Sequence, residues 1–315
     1  MSLAGDGSSP IERPRRNADV GQLLVKFLVR LRYDADGRRS GKHTFRAVNC
    51  IPARRLYLSR DLRRTHERLH PVGKEMSNID QIRASWLLPF VLSATAGAVD
   101  VIGFLALGGL FTAHITGNIV VLAAHYITGS FGQIGPLLAV PVFVVVLGIV
   151  TVTFIGRPTR TARRASLILQ AILLAAFLGF AVAFGPFPNP DNAIAVFVGM
   201  LGVAAMASQN ALVRLALPGS PATAVMTTNI TRLTVDLVMV ASGRGQAADL
   251  AQAQRRAALT LSSVIGFVAG VVSGALLQVR FGLWSLVLPF LLAAISIPLG
   301  ESWTPSNQPH RSPNT

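Results

Sequence analysis

Two apolar stretches of the chain carry the same phrase: Phe111-Thr-Ala-His-Ile-Thr-Gly-Asn-Ile119 and Ala222-Thr-Ala-Val-Met-Thr-Thr-Asn-Ile230. A constant offset of 111 residues lays Thr112, Ala113, Thr116, Asn118 and Ile119 on Thr223, Ala224, Thr227, Asn229 and Ile230. Polar side chains buried in lipid-length apolar sequence cost free energy unless partners are supplied. A membrane chain does not need repeated Thr and Asn at mid-depth merely to fold. The phrase therefore points to a transporter built from two related halves.

Around the two phrases lie apolar runs of span length. They occupy 86–106, 134–156, 165–185, 193–213, 257–279 and 282–300, each near the ~20 residues that cross a bilayer. The segments 113–128 and 222–242 carry the phrases themselves. Gly108-Gly109 and Leu217-Pro-Gly-Ser-Pro221 stand just before each phrase, where they would break a helix.

Arginines arbitrate the topology. Arg157, Arg160, Arg163 and Arg164 crowd one short loop, and Arg244, Arg255 and Arg256 lie in another, whereas 186–192 has none. If all eight segments cross, one Arg-rich region always falls on the outer side. If the two phrase-bearing segments dip in and return, both Arg-rich loops become cytoplasmic, with Arg280 facing out. The expected fold is thus an all-α integral membrane protein. It has about six transmembrane helices, two broken or re-entrant segments and two inverted-topology repeats. Repeat one covers about 86–185 and repeat two about 193–300, within a membrane domain 86–300. Both termini are expected in the cytoplasm and the protein in the bacterial inner membrane.

Composition agrees. The 315 residues are 51% apolar with a mean hydropathy of +0.51. Residues 1–85 hold 18 of the 29 Lys+Arg against 9 of the 14 Asp+Glu, and no lysine follows Lys74. A pI near 11.6 would suggest nucleic-acid binding in a soluble protein. Here the basic residues flank spans, so no nucleic-acid partner is expected. The arm 1–85 lacks sustained periodicity apart from Val20–Arg32, a short basic amphipathic stretch. Translation starting at Met76 is the plainer explanation of the arm, which is expected to be poorly ordered. A polar tail, 301–315, closes the chain. The single Cys50 builds no disulfide and no metal site.

The order Ala96-Gly-Ala-Val-Asp100, Phe104-Leu, Gly108-Gly109, Phe111 and Thr116-Gly-Asn118 resembles the YoaK-like family of bacterial membrane proteins. Met206-Ala-Ser-Gln-Asn210 followed by Thr227-Thr-Asn resembles that family's second signature. Thr228 departs from it, standing where Gly117 stands in the first phrase. The resemblance covers about 80–300. It implies a polytopic inner-membrane protein of uncharacterised function and supplies no substrate.

Candidate site residues follow from charge and polarity at depth. Asp100 lies about two-thirds along the first span, where a carboxylate costs roughly 2.5–3.5 kcal/mol to insert. It is either a proton or cation site or a structural cap on the broken segment. Thr116, Asn118, Thr227 and Asn229 offer uncharged donors and acceptors, either to a solute at the midplane or between repeats. Gln209 and Asn210 stand near the second half's counterpart of Asp100. Arg232 and Asp236, four apart, share a helix face. They form a local ion pair, or Arg232 takes an anionic substrate that Asp236 orients. His114 reads as a structural residue. Gly266, Gly270 and Gly274 form a row for close helix packing, within the fold or in a homo-oligomer. Pro89, Pro141 and Pro289 are expected to kink their spans.

Walker A, HExxH and dinucleotide-binding signatures are missing, and the two aspartates lack the motif of an intramembrane aspartyl enzyme. The sequence therefore implies no enzyme, no cofactor and no metal. It favours a secondary transporter or permease for a small solute or ion in the lipid bilayer. The alternative is a non-transporting membrane scaffold or sensor.

Overall fold

The computed structural model describes residues 86–303. The expectations for the arm 1–85, including Val20–Arg32, Cys50 and Met76, and for residues 304–315 of the tail lie outside the described residues. Within them all regular structure is helical, and the chain is an all-α membrane protein.

The first long helix, α1 (Trp86–Ala106), is followed by an irregular segment and the short α2 (Gly117–Thr128). Two long helices come next, α3 (Ile134–Phe154) and α4 (Thr159–Phe184). The order then recurs. A long α5 (Ala193–Ala216), an irregular segment and a shorter α6 (Met226–Ser242) lead to α7 (Ala247–Phe281). A 3-10 turn, Gly282–Leu286, joins α7 to α8 (Val287–Ser302). Five helical stretches are long and apolar enough to cross a membrane, the last of them running from Ala247 through α7, the turn and α8 to Ser302. α2 has only 12 residues, and α6 has 17 and carries Arg232 and Asp236, so neither is among those stretches. Pro141 lies inside α3, but Pro289 falls in the first turn of α8, where a missing N–H costs little.

Burial identifies the centre. The apolar windows of α1 and α5 are 78% and 72% buried, against 17% for α3, 33% for α4 and 28% for the α7–α8 stretch. The central pair is rich in small residues, among them Ala94, Ala96, Gly97 and Ala98 of α1 and Gly199, Gly202, Ala205 and Ala207 of α5. Small side chains let backbones approach closely, which is how helices associate when lipid is as apolar as leucine. Large apolar residues such as Ile149, Val152 and Ile172 point outward.

Register fixes directions. Gln209 of α5 meets Leu92 of α1, while Gly199 meets Leu107 just beyond α1, so the central helices run antiparallel. Gly266, Gly270 and Gly274 of α7 meet Phe90, Ala94 and Ala98 in step, so α1 and α7 run parallel. A Cβ at Gly266 or Gly270 would collide with the backbone carbonyl oxygen of Phe90 or Ala94. The glycine row is therefore used inside the fold, against α1.

Asp191, just before α5, ties the halves at one end. Its Oδ2 accepts from the Gly132 N–H (2.8 Å) and its Oδ1 from the Ile134 N–H (2.9 Å). Hence α3 and α5 start at the same end of the molecule. Burial pushes the Asp191 carboxyl up, but the backbone N–H groups of Ile134, Gly132 and Gln133, helped by nearby His125, outweigh this and hold it below its ordinary value.

Two outcomes follow from this frame. Gly270→Ala should lower thermal stability in detergent by about 1–3 kcal/mol, because the added methyl meets backbone that cannot move aside. Gly179→Ala, whose Cβ would meet nothing within 4 Å, should stay within about 0.5 kcal/mol of wild type. For Asp191 the sign follows from its lowered native pKa: its stabilisation is present above the unfolded value of about 3.9 and lost as pH falls through the native one. Wild type should melt above Asp191→Asn at neutral pH, and the gap should close as pH drops through the acid range.

Candidate functional site

After α1 the chain turns back on Gly108 and Gly109, both at positive φ (60° and 84°), a conformation that only glycine adopts without strain. The returning segment, 110–116, is irregular and cannot hydrogen-bond to itself as a helix does. Side chains take over. The Ala113 N–H (2.8 Å) and the His114 N–H (3.3 Å) donate to Asp100 Oδ1, and His114 Nδ1 lies 2.6 Å from Asp100 Oδ2. An ionised carboxylate only accepts, and against it the imidazole presents Nδ1–H and keeps Nε2 free of that contact. The two side chains differ in access: Asp100 is 4% exposed and His114 35%. The Phe267 ring of α7 meets the imidazole edge-on at 5.3 Å between centroids.

Asn118 completes the same loop. Its Nδ2 donates to the Phe111 carbonyl (2.7 Å), and its Oδ1 accepts from the Phe111 N–H (2.9 Å). Asp100 and Asn118 thus hold the two ends of 111–114. The second phrase repeats the device: Asn229 Nδ2 donates to the carbonyl of Ala222, the counterpart of Phe111 (2.5 Å). Both asparagines are fully buried. Thr116 and Thr227 are exposed in both copies.

Gln209 anchors the second returning segment. Its Nε2 donates to Thr223 Oγ1 (2.7 Å) and to the Leu92 carbonyl of α1 (3.0 Å), while its Oε1 accepts from Gln170 Nε2 of α4 (2.6 Å). One amide therefore joins α1, α4, α5 and the loop. Asn210 instead donates to the Met206 carbonyl one turn back on its own helix (2.8 Å).

Asp236 does not pair with Arg232. Its partner is Arg256 of α7, with Nη2 2.8 Å from Oδ1 and Nε 3.4 Å from Oδ2. Arg232 is exposed and lines, with Thr227 and Asp236, a shallow cleft of about 400 Å³. The candidate residues therefore fall into three groups: Asp100 with Asn118, Gln209 with the second loop, and Thr227 with Arg232 and Asp236. His114, read from sequence as structural, belongs to the first group. The signal for it was its place in the repeated phrase, where the second copy has Val225. Among the described residues no cluster of three metal-ligating side chains occurs.

A family model described as "protein of unknown function (DUF1275)" matches residues 88–298, which include every candidate site residue described above. The chain belongs to the DUF1275 family. A similar protein is the UPF0700 transmembrane protein YoaK of Bacillus subtilis (strain 168), 29% identical over 154 residues. That match covers 47% of this chain and 64% of YoaK, so the chain spans just under two thirds of this relative's length. No solved structure matches. This DUF1275 protein is a multi-pass membrane protein whose family carries no assigned activity.

The paired asparagines yield a graded outcome. Asn118→Ala leaves the Phe111 N–H and C=O without partners and should cost about 1–3 kcal/mol. Asn229→Ala removes one such bond and should cost less. Thermal melting of the purified variants in detergent ranks them, and an equal or reversed ranking would contradict the bonding described.

Proposed function

We propose that this protein is a secondary permease for a small solute or ion, coupled to protons through Asp100 and His114. The observation that carries the reading is the contact between a buried carboxylate and a half-exposed imidazole, on a loop that has left helical geometry. Such an arrangement suits a proton relay. His114 Nε2 takes a proton from the accessible side, and the imidazolium is stabilised by the Asp100 carboxylate behind it. Release of that proton removes the charge. The loop that both groups hold is then biased by protonation, as a coupled carrier requires.

The antiparallel α1 and α5, each opening one copy of the same element order, support an inverted repeat. Such repeats place the solute site between the two halves. The Arg-rich loops 157–164 and 243–256 support cytoplasmic termini and an inner-membrane location, with 186–192 outside. The small polar loops and the lack of a nucleotide-binding motif argue against an enzyme or a self-powered pump.

One observation favours the scaffold reading: both oxygens of Asp100 are satisfied internally. In that case the carboxylate does no more than fasten the loop. Asp100→Asn separates the two. The asparagine Oδ1 still accepts from Ala113, but its amide donates to His114 Nδ1, forcing the other tautomer and removing the charge. In proteoliposomes with an internal pH dye and a panel of small solutes, coupled proton flux should fall to background in Asp100→Asn, with folding retained. Absence of coupled flux in wild type across the panel, or unchanged flux in the variant, would sink the proposal.

A further inference from the structure

Away from Asp100, the segment before the second phrase, α6 and the start of α7 enclose a cleft of about 890 Å³. Three guanidinium groups line it: Arg232 from α6, and Arg255 and Arg256 from α7. Acidic compensation is incomplete. Asp236 is engaged by Arg256, and Asp249, the remaining carboxylate near this end of α7, acts on the same arginine. Among the described residues neither Arg232 nor Arg255 has an ion-pair partner. A neutral donor joins them. Ser220 lines the cleft, and its Oγ is buried without a hydrogen-bond partner. The side-chain amide of Gln252 completes the polar lining.

Unpaired arginines that share the lining of one cleft with an unsatisfied hydroxyl match the needs of a tetrahedral oxyanion, whose oxygens accept from several donors at once. A carboxylate, with two oxygens, would meet fewer of these donors at once. A cation is excluded by the charge.

We infer that this cleft binds a phosphate group, held by Arg232 and Arg255 with Ser220 as the neutral donor. Arg256, fixed by Asp236, shapes the wall and adds to the field. Two sources carry that chemistry: a soluble phosphate and the headgroup of an anionic lipid, which basic pockets near membrane surfaces also recognise. This site does not depend on the Asp100–His114 reading, and either can fail alone.

The test uses the full chain. Inorganic phosphate is titrated calorimetrically onto protein in phosphatidylcholine nanodiscs. In parallel, lipid retention is measured by native mass spectrometry after reconstitution with cardiolipin. The variants are Arg232→Gln with Arg255→Gln, Ser220→Ala, and Arg244→Gln as an exposed basic control from the same connection. Saturable binding of either probe should weaken about ten- to a hundredfold in the double arginine variant. It should weaken less in Ser220→Ala and stay unchanged in Arg244→Gln. Binding of free phosphate identifies a soluble ligand, and retention of cardiolipin alone identifies a headgroup. The proposal is overturned if neither probe binds wild type, if the double variant binds both as wild type does, or if Arg244→Gln weakens binding equally.

Discussion

The rest of the molecule depends on the asparagine bond from Asn118 to Phe111. A chain that leaves helical geometry at membrane depth exposes N–H and C=O groups that lipid cannot satisfy. Asn118 meets both groups of one residue with its own amide, closing the loop between α1 and α2. Asp100 satisfies the next two N–H groups that matter, at Ala113 and His114. Without these partners the segment would be driven toward continuous helix, and the turn at Gly108 and Gly109 would have nothing to hold it. The return of the chain after α1 is therefore held by buried polar side chains rather than by sequence propensity.

The same constraint appears twice, and its two solutions differ in a telling way. Asn229 repeats the asparagine bond at Ala222, so this part is demanded by the backbone geometry. What anchors each loop to the central helices is not repeated. The first loop is held by an ionisable pair, Asp100 with His114. The second is held by neutral groups, Gln209 with Thr223, and Val225 stands where His114 would be. A purely structural requirement would be met by neutral amides in both halves, since a buried charge is the costlier solution. The two loops therefore differ in chemistry at the anchor, ionisable in the first and neutral in the second.

Much of the frame was legible in the sequence because it rests on local rules. The runs at 86–106 and 134–156 appear as Trp86–Ala106 and Ile134–Phe154, and the breaks fall at the glycine and proline clusters. The spacing of Gly266, Gly270 and Gly274 announced close packing, though only the structure names α1 as the partner. The site was less legible, because its bonds span the chain. Gln209 reaches Leu92 across 117 residues, and Asp236 passes over Arg232 on its own face to pair with Arg256. Helical spacing gives which residues are able to meet. It does not say which bond wins once a second helix offers a better geometry. The partner of His114 was not legible for a related reason: an imidazole fourteen residues from a carboxylate becomes its neighbour only because the chain folds back at Gly108 and Gly109.

The distribution of rigidity follows from the same bonds. α1 and α5 are clamped together by Gln209, and α1 is locked to α7 by glycine contacts that leave no room for sliding. Around this block, α2 and α6 each carry a side chain that makes a polar tie toward the following helix. His125 Nδ1 lies 3.1 Å from the Gly132 carbonyl in the first half, and Asp236 pairs with Arg256 in the second. These two residues occupy equivalent positions under the 111-residue offset. The polar ties lie on the short helices, whereas the central frame is held by backbone contact.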